Sequence, residues 1–253
     1  MPLYIRKIPI MFLMLVNLTK SPAAMPNTHK ARPLVWYDGR QKIGEGVTIT
    51  AHILYDSKDF AELVPEQKIP KYFDELFQKV RELFNNNTIM ISINIIEATL
   101  KTDVEVIESR RHTLEGNETL RKLQSYASTT GVSKDSIVYL FTQKTPYNKY
   151  HHFAFAGAFT DFSTNATFCT KTTSAAIIQH TPGSGRFWPT VRATARIFGT
   201  RNFFRFTEGD MKTLTETFKH CPGIKETKFD HGRKPTYRKR QKRSSSRRNT
   251  IVI

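Results

Sequence analysis

The chain has 253 residues and is strongly basic, with 39 Lys and Arg against 22 Asp and Glu and a formal net charge of +17. This length is enough for one large domain or two small ones. Beyond residue 24 no apolar stretch is long enough to span a bilayer, which excludes a multispanning membrane protein.

The first 23 residues have the pattern of a secretory signal peptide. Arg6 and Lys7 precede an apolar run over residues 8–18, and small residues then favour cleavage after Ala23. A short membrane anchor is the alternative interpretation, but the run is short for a bilayer span. We therefore expect a secreted, extracellular protein.

Secretion gives the two cysteines and the glycosylation sequons a role. Cys169 and Cys221 are the only cysteines, and in an oxidising compartment we expect them to form one disulfide. Such a bridge contributes about 4 kcal/mol on a chain-entropy estimate. Three Asn-X-Thr sequons would carry surface glycans, at Asn86, Asn117 and Asn165.

Apolar patterning predicts alternating strands and helices through most of the chain. Continuous β-branched runs predict buried strands, and apolar residues every three or four positions predict helices. In chain order the predicted elements are a strand at 47–55, a helix at 69–84, a strand at 89–100, a segment at 104–107 that extends this strand or pairs with it, a helix at 119–128, strands at 136–142, 153–159 and 175–179, and helices at 189–199 and 210–221. This order predicts an α/β sandwich with a mostly parallel sheet and an edge strand.

The order and spacing of these elements resemble the catalytic domain of metzincin zinc proteases of the reprolysin group. The resemblance covers roughly residues 45–222. It is carried by the strand exit Leu54–Ser57, the helix T-L-R-K-L-Q-S-Y at Thr119–Tyr126, the strand D-S-I-V-Y-L-F-T at Asp135–Thr142, and the A-G-A-F segment at 156–159 that leads to Cys169. The chain is similar in particular to secreted salivary metalloprotease-like proteins of hard ticks, a small group of which has lost the zinc motif.

The resemblance implies that the helix ending at Gly199 corresponds to the zinc helix H-E-x-x-H-x-x-G-x-x-H of that family. The two helical His positions then hold Arg192 and Arg196, the Glu position holds Ala193, and the third His position holds Asn202. Arginine stays protonated and cannot bind zinc, and alanine cannot act as a base. The resemblance therefore implies a scaffold without catalytic residues, metal or other cofactor.

Two further observations agree with a lost metal site. The Met-turn of the family is missing, because only Met211 lies between Gly199 and Cys221. No H-x-x-x-H, H-x-H or C-x-x-C spacing occurs elsewhere in the chain. An active secreted zinc metalloendopeptidase is the alternative hypothesis.

The C-terminal segment concentrates the positive charge. It contains eleven basic residues against Glu226 and Asp230, a net charge of +9. These residues are Lys225, Lys228, Arg233, Lys234, Arg238, Lys239, Arg240, Lys242, Arg243, Arg247 and Arg248. The segment has no apolar periodicity, so we expect a disordered tail that attracts polyanions.

For a secreted protein, the expected partners of this tail are heparan sulfate, heparin and anionic phospholipid. Each basic residue near an anionic membrane contributes about 1 kcal/mol. A tail that only aids solubility is one alternative. A nucleic-acid-binding protein is another, but it conflicts with the signal peptide. Arg192, Arg196, Arg201 and Arg205 form a second predicted basic cluster, suited to sulfate or carboxylate if it lines a cleft.

Together these observations predict a secreted pseudo-metalloprotease that acts by binding anionic surfaces, with a host plasma protein as a further partner. It would modulate host haemostasis or immunity. The predicted organisation is a signal peptide at 1–23, an N-terminal extension at 24–44, a metzincin-like α/β domain at 45–222 and a disordered basic tail at 223–253.

Overall fold

The computed structural model describes residues 35–39, 41–64, 68–108, 113–148 and 160–222. In chain order its elements are β1 (Ile43–Tyr55), α1 (Lys58–Leu63), α2 (Ile69–Asn86), β2 (Ile89–Leu100), β3 (Ile107–Glu108), β4 (Thr113–Glu115), α3 (Gly116–Thr129), β5 (Ser136–Thr142), β6 (Pro146–Tyr147), β7 (Asp161–Ser163), β8 (Ser174–Gln179), α4 (Trp188–Ile197) and α5 (Glu208–Lys219). The predicted signal peptide, the strand predicted at 153–159 and the basic tail lie outside the described residues.

Five strands form the main sheet, in the order β2-β1-β5-β8-β7. The first four run parallel, and β7 pairs antiparallel with β8 at one edge. The register places Ala51 of β1 between Ile95 of β2 and Ile137 of β5. The prediction of an α/β fold with a mostly parallel sheet is therefore confirmed.

Helices cover both faces of the sheet at its centre, which explains the continuous apolar sequences of β5 and β8, whereas β2 has solvent-exposed residues such as Ile96. Alternate residues of β5 enter two separate cores. Tyr139 and Phe141 pack with α2, α4 and α5 on one face, whereas Val138 and Leu140 pack with α3 on the other. Because both faces of the sheet are buried at β5, this strand has no solvent-facing residue and shows no polar alternation.

The bounds of most predicted elements lie within three residues of the predicted ones, and two differences are larger. Strand β1 begins at Ile43, four residues before the predicted start, although Gly44 and Gly46 adopt positive φ angles of 79° and 86° there. The prediction that residues 104–107 extend β2 or pair with it was wrong. Residues 103–104 form a turn, and β3 pairs with β4 in a small separate sheet because the chain turns away after β2.

The described part of the segment before β1 joins the domain. Trp36 forms an antiparallel bridge with Thr207, and the Tyr37 amide donates to the Phe206 carbonyl at 3.2 Å. These contacts hold residues 36 and 37 against the start of α5. Residues 36 and 37 of the predicted extension at 24–44 therefore pack on the α/β domain.

Candidate functional site

Helix α4 presents one polar stripe to solvent and buries the rest of its surface. Pro189 lies in its first turn, where a missing amide proton has no cost. Val191, Ala195 and Ile197 pack into the core. Trp188, Arg192 and Arg196 recur every four residues on the outer side, and these are the positions of α4 that are not buried.

Helix α4 ends at Ile197, two residues before the end that the sequence predicts at Gly199. Gly199 has a φ of 93°, which side chains with a Cβ rarely adopt. A Cβ added there would approach Ala166 Cβ and Thr213 Cγ2 at 3.2 Å. The glycine therefore permits both the turn and close packing between α4, α5 and the loop after β7.

Arg192, at the first predicted histidine position, is held by the edge strand. Its Nε donates to Asp161 Oδ1 at 2.5 Å, and its Nη2 donates to Thr160 Oγ1 at 2.6 Å. Nη2 also forms an ion pair with the Asp161 carboxylate, whose side chain is only 1% exposed. The guanidinium lies 5.7 Å from the ring centroid of Phe203. Arg192 thus neutralises a buried carboxylate and joins α4 to β7.

Ala193, at the predicted Glu position, is fully buried in the core. Its neighbour Thr194 contacts the Tyr139 hydroxyl through Oγ1 at 2.9 Å, and burial raises the pKa of that tyrosine. A carboxylate at position 193 would enter this packed region without an evident partner. The side of α4 that contains Ala193 therefore serves the core.

Asn202, at the third predicted histidine position, supports the start of α5. Its Nδ2 donates to Asp210 Oδ2 at 2.7 Å. Asp210 also accepts from the Thr207 amide at 2.9 Å in a capping box. Burial opposes ionisation of Asp210, but these hydrogen bonds outweigh it and lower its pKa. Asn202 therefore helps to keep a helix cap ionised.

The residues at this turn do not fit a zinc ion. Two are arginines, one is a buried alanine, and the amide of Asn202 is engaged with Asp210. Over the ranges that the structure describes, no group of three His, Cys, Asp or Glu side chains is placed to hold a metal.

Arg196 and Arg201 instead line a cavity of about 190 Å³ beside α4. The cavity also contacts Asn165, Arg192, Ala195, Thr200 and Phe203. Of the three arginines in this lining, Arg192 is paired with Asp161, and the other two favour a phosphate, sulfate or carboxylate. The structure thus brings together three residues of the predicted cluster, whereas Arg205 lies apart and stacks 5.1 Å from the Trp36 ring centroid.

A second charged cluster lies at the carboxyl ends of β1 and β5. Lys144 Nζ is 2.7 Å from Asp56 Oδ2 and 3.1 Å from both carboxylate oxygens of Glu105. The Asp56 and Glu105 side chains are 1% and 9% exposed. This cluster was not predicted, although Asp56 and Lys144 each follow a predicted parallel strand, and such strand ends meet at one edge of a sheet.

Burial and neighbouring charges shift the pKa values of the two carboxyl groups in this second cluster in opposite directions. Burial and the neighbouring Asp56 raise the pKa of Glu105 to about 8. Burial alone would raise the pKa of Asp56, but hydrogen bonds from Glu105, Lys144 and Thr142 lower it overall. At neutral pH the cluster therefore holds one carboxylate, one carboxylic acid and one ammonium, and its charges cancel.

His180 is a third buried polar residue at this edge, directly after β8. Its Nε2 hydrogen-bonds the Tyr72 hydroxyl. Burial lowers the pKa of His180 to about 4, so the imidazole is neutral at physiological pH. It packs against Phe60 and Phe141, which makes it part of the aromatic core.

The predicted disulfide and sequons occupy different environments. Cys169 and Cys221 are bonded, with an Sγ–Sγ distance of 2.01 Å. Asn86 and Asn165 are exposed. Asn117 is half-buried and its Nδ2 donates to Asn148 Oδ1 at 3.1 Å. A glycan at Asn165 would stand at the rim of the cavity beside α4.

Comparisons with known proteins do not identify a family. No protein-family model matches the chain, and no curated protein matches it. Among solved structures, a crystal structure of metalloproteinase-II from Bacteroides fragilis matches with 12% sequence identity and a TM-score of 0.42. The match covers 76% of this chain and 58% of that one, so this chain spans less than two thirds of its length.

Among the residues that the structure describes, no helix is both long enough and apolar enough to cross a membrane. The basic residues of the predicted tail, from Lys225 to Arg248, lie outside the described ranges.

Proposed function

We propose that the chain is a secreted, glycosylated protein with a metzincin-like fold that binds anionic surfaces and has no peptidase activity. It would resemble the degenerate metalloprotease-like proteins of hard-tick saliva and modulate host haemostasis or immunity. The binding partners are heparan sulfate or anionic phospholipid, with a host plasma protein as a further partner.

One observation carries the non-catalytic part of this proposal. At the turn where the resemblance expects a metal and a general base, Arg192 is paired with the buried Asp161 and Ala193 lies in the core. Each side chain has a structural partner that a zinc ligand or a catalytic carboxylate in its place would lose. The turn is therefore better suited to packing than to peptide hydrolysis.

The positive charge of the predicted tail supports the proposal that the protein binds anionic surfaces. The tail has a net charge of +9, just over half of the formal charge of the chain. A segment of this kind gains affinity for polyanions by releasing their counterions, and its binding weakens as salt rises. We therefore expect retention on heparin that depends strongly on ionic strength.

A full-length variant with the eleven basic tail residues replaced by Gln tests the binding. It should lose retention on a heparin column at moderate salt. A matched control exchanges every tail Lys for Arg and every tail Arg for Lys, and it should elute with the wild type because the charge is unchanged. Unchanged elution of the Gln variant would show that the tail is not the binding element.

The purified secreted protein tests the catalytic part separately. We expect no stoichiometric zinc by elemental analysis and no hydrolysis of peptide libraries. Stoichiometric zinc together with chelator-sensitive hydrolysis would instead establish the active metalloendopeptidase. Retention of the expressed chain inside cells would favour the nucleic-acid-binding alternative.

A further inference from the structure

The stretch of chain that contains α4 is strongly basic. Residues 162–207 contain no Asp or Glu and six basic residues. These are Lys171, Arg186, Arg192, Arg196, Arg201 and Arg205. Arg192 is neutralised by Asp161, but no ion pair of the described residues involves Arg196 or Arg201. A net positive charge therefore remains around the cavity beside α4.

Exposed aromatic rings adjoin this charge. Trp188, at the start of α4, is 37% exposed, and Phe204 is 66% exposed. Their ring centroids are 5.3 Å apart, and Phe187 stacks on Trp188 at 4.8 Å. Single exposed apolar residues are ordinary, whereas Trp188 and Phe204 contact each other and form one small exposed apolar patch.

The rings and the arginines belong to one surface. Trp188, Arg192 and Arg196 follow each other at intervals of one helical turn on the outer side of α4. Phe203 links the two groups, because it contacts Arg192 and lines the cavity, and it directly precedes Phe204. We call the surface formed by Trp188, Arg192, Arg196, Arg201 and Phe204 the α4 face.

We propose that the α4 face docks on anionic phospholipid membranes. Trp188 and Phe204 enter the boundary between headgroups and acyl chains, where aromatic rings partition favourably. Arg196 and Arg201 bind lipid phosphates in the cavity, and the anionic surface attracts their charge. A sulfated polysaccharide would satisfy the arginines but offers no apolar layer for the rings. The α4 face is separate from the tail, so this inference does not rest on the proposed function, but it requires Asn165 at the cavity rim to carry no glycan.

Vesicle binding in the full-length protein with the neutralised tail isolates the α4 face. The probes are phosphatidylcholine vesicles with and without phosphatidylserine, measured by co-sedimentation. We expect Phe204→Ser to weaken binding to the anionic vesicles about tenfold, because the ring loses its burial in lipid. We expect Arg196→Gln to weaken it about fivefold. Pure phosphatidylcholine should bind poorly in every case.

Matched controls change exposed residues away from this face. Ile96→Ser removes an apolar side chain that is 56% exposed on β2, and Arg81→Gln removes one exposed charge on α2. Both should bind anionic vesicles as the parent does. An equal loss in the controls, or no loss in Phe204→Ser, would overturn the proposal.

Tryptophan fluorescence gives an independent measure, because the chain has only two Trp residues. In a Trp36→Phe variant the emission of Trp188 should shift to the blue on anionic vesicles. A heparin arm separates the two polyanions. If Arg196→Gln weakens heparin binding while neither α4-face variant affects vesicles, the face binds glycosaminoglycan and the membrane proposal fails.

Discussion

Two charged regions of this molecule differ in how their charge is balanced. At the carboxyl ends of β1 and β5, Lys144 lies within 3.1 Å of Asp56 and Glu105, and the cluster is neutral. On the outer side of α4, Arg192 pairs with Asp161, but the side chains of Arg196 and Arg201 border an open cavity and form no ion pair with any described residue.

The difference separates charge that serves the fold from charge that is available to a ligand. A buried ion pair is costly to break, since removing one partner leaves the other desolvated and unpaired. An exposed, unpaired arginine stabilises the fold very little. Stability measurements on matched variants therefore test which residues belong to which group.

The largest effect is expected for Lys144→Met. This change leaves the Asp56 carboxylate, 1% exposed, without its cation, so the free energy of unfolding should fall by about 3–4 kcal/mol. Lys101→Met is the control, because the partner of Lys101, Asp103, is well exposed, and its effect should stay below about 1 kcal/mol. Urea denaturation measures both, and equal effects would remove the distinction between the regions.

The second largest effect is expected for Arg192→Met, and it distinguishes Arg192 from Arg196 on the same helix. Arg192→Met should lower the free energy of unfolding by about 2–3 kcal/mol, because it leaves the buried Asp161 unpaired. Arg196→Met should change it by less than about 0.5 kcal/mol, since Arg196 is exposed. A costly Arg196→Met would assign that residue to the fold and weaken its proposed role in binding.

The smallest effect is expected in the pH dependence of stability, through the titration of Glu105. The pKa of Glu105 is raised to about 8 from 4.5, so across this interval the native state keeps a proton that the unfolded chain has lost. The contribution of Glu105 to stability is therefore present below about pH 4.5, falls as pH rises through 8 and is then constant.

A Glu105→Gln variant should not lose stability in this way as pH rises, because the amide side chain does not titrate. Between about pH 5.5 and 8.5 the wild type should lose roughly 1–2 kcal/mol relative to the variant, less than the full shift implies because solvent reaches part of the group. Urea denaturation at both pH values measures the difference. Parallel pH dependence of the two proteins would show that Glu105 is ionised throughout.

The four parallel strands were accessible from sequence, β5 and β8 because burial on both faces leaves a continuous apolar signal and β1 and β2 because they are rich in β-branched residues, whereas edge strand β7 was not predicted. The bounds of β2 and β5 match the predicted ones. The first residues of β1 were missed because Gly44 and Gly46 suggest a turn, whereas pairing of Ile43 with Ile89 holds this segment in the sheet. Tertiary pairing thus overrides local propensity at that end.

The side-chain pairs within the candidate site were harder to predict from the sequence than the strands. Asp161 lies 31 residues before Arg192, and only the order of the strands brings edge strand β7 beside α4. Sequence patterns predicted the helix and its arginines but contain no signal for that pairing. The cluster of Asp56 and Lys144 was predictable in part, since both residues follow neighbouring parallel strands, but Glu105 follows an irregular turn.

The disulfide would have a mechanical consequence if the protein binds through its C-terminal end, as proposed above. Cys221 lies two residues before the predicted tail, and its bridge to Cys169 reaches the loop between β7 and β8. The Cys169 amide donates to the Lys134 carbonyl next to β5, and the Lys134 ammonium donates to the His220 carbonyl. A pulling load on the tail, as under shear flow, therefore passes through a covalent bond towards the centre of the sheet and does not peel α5 from its end.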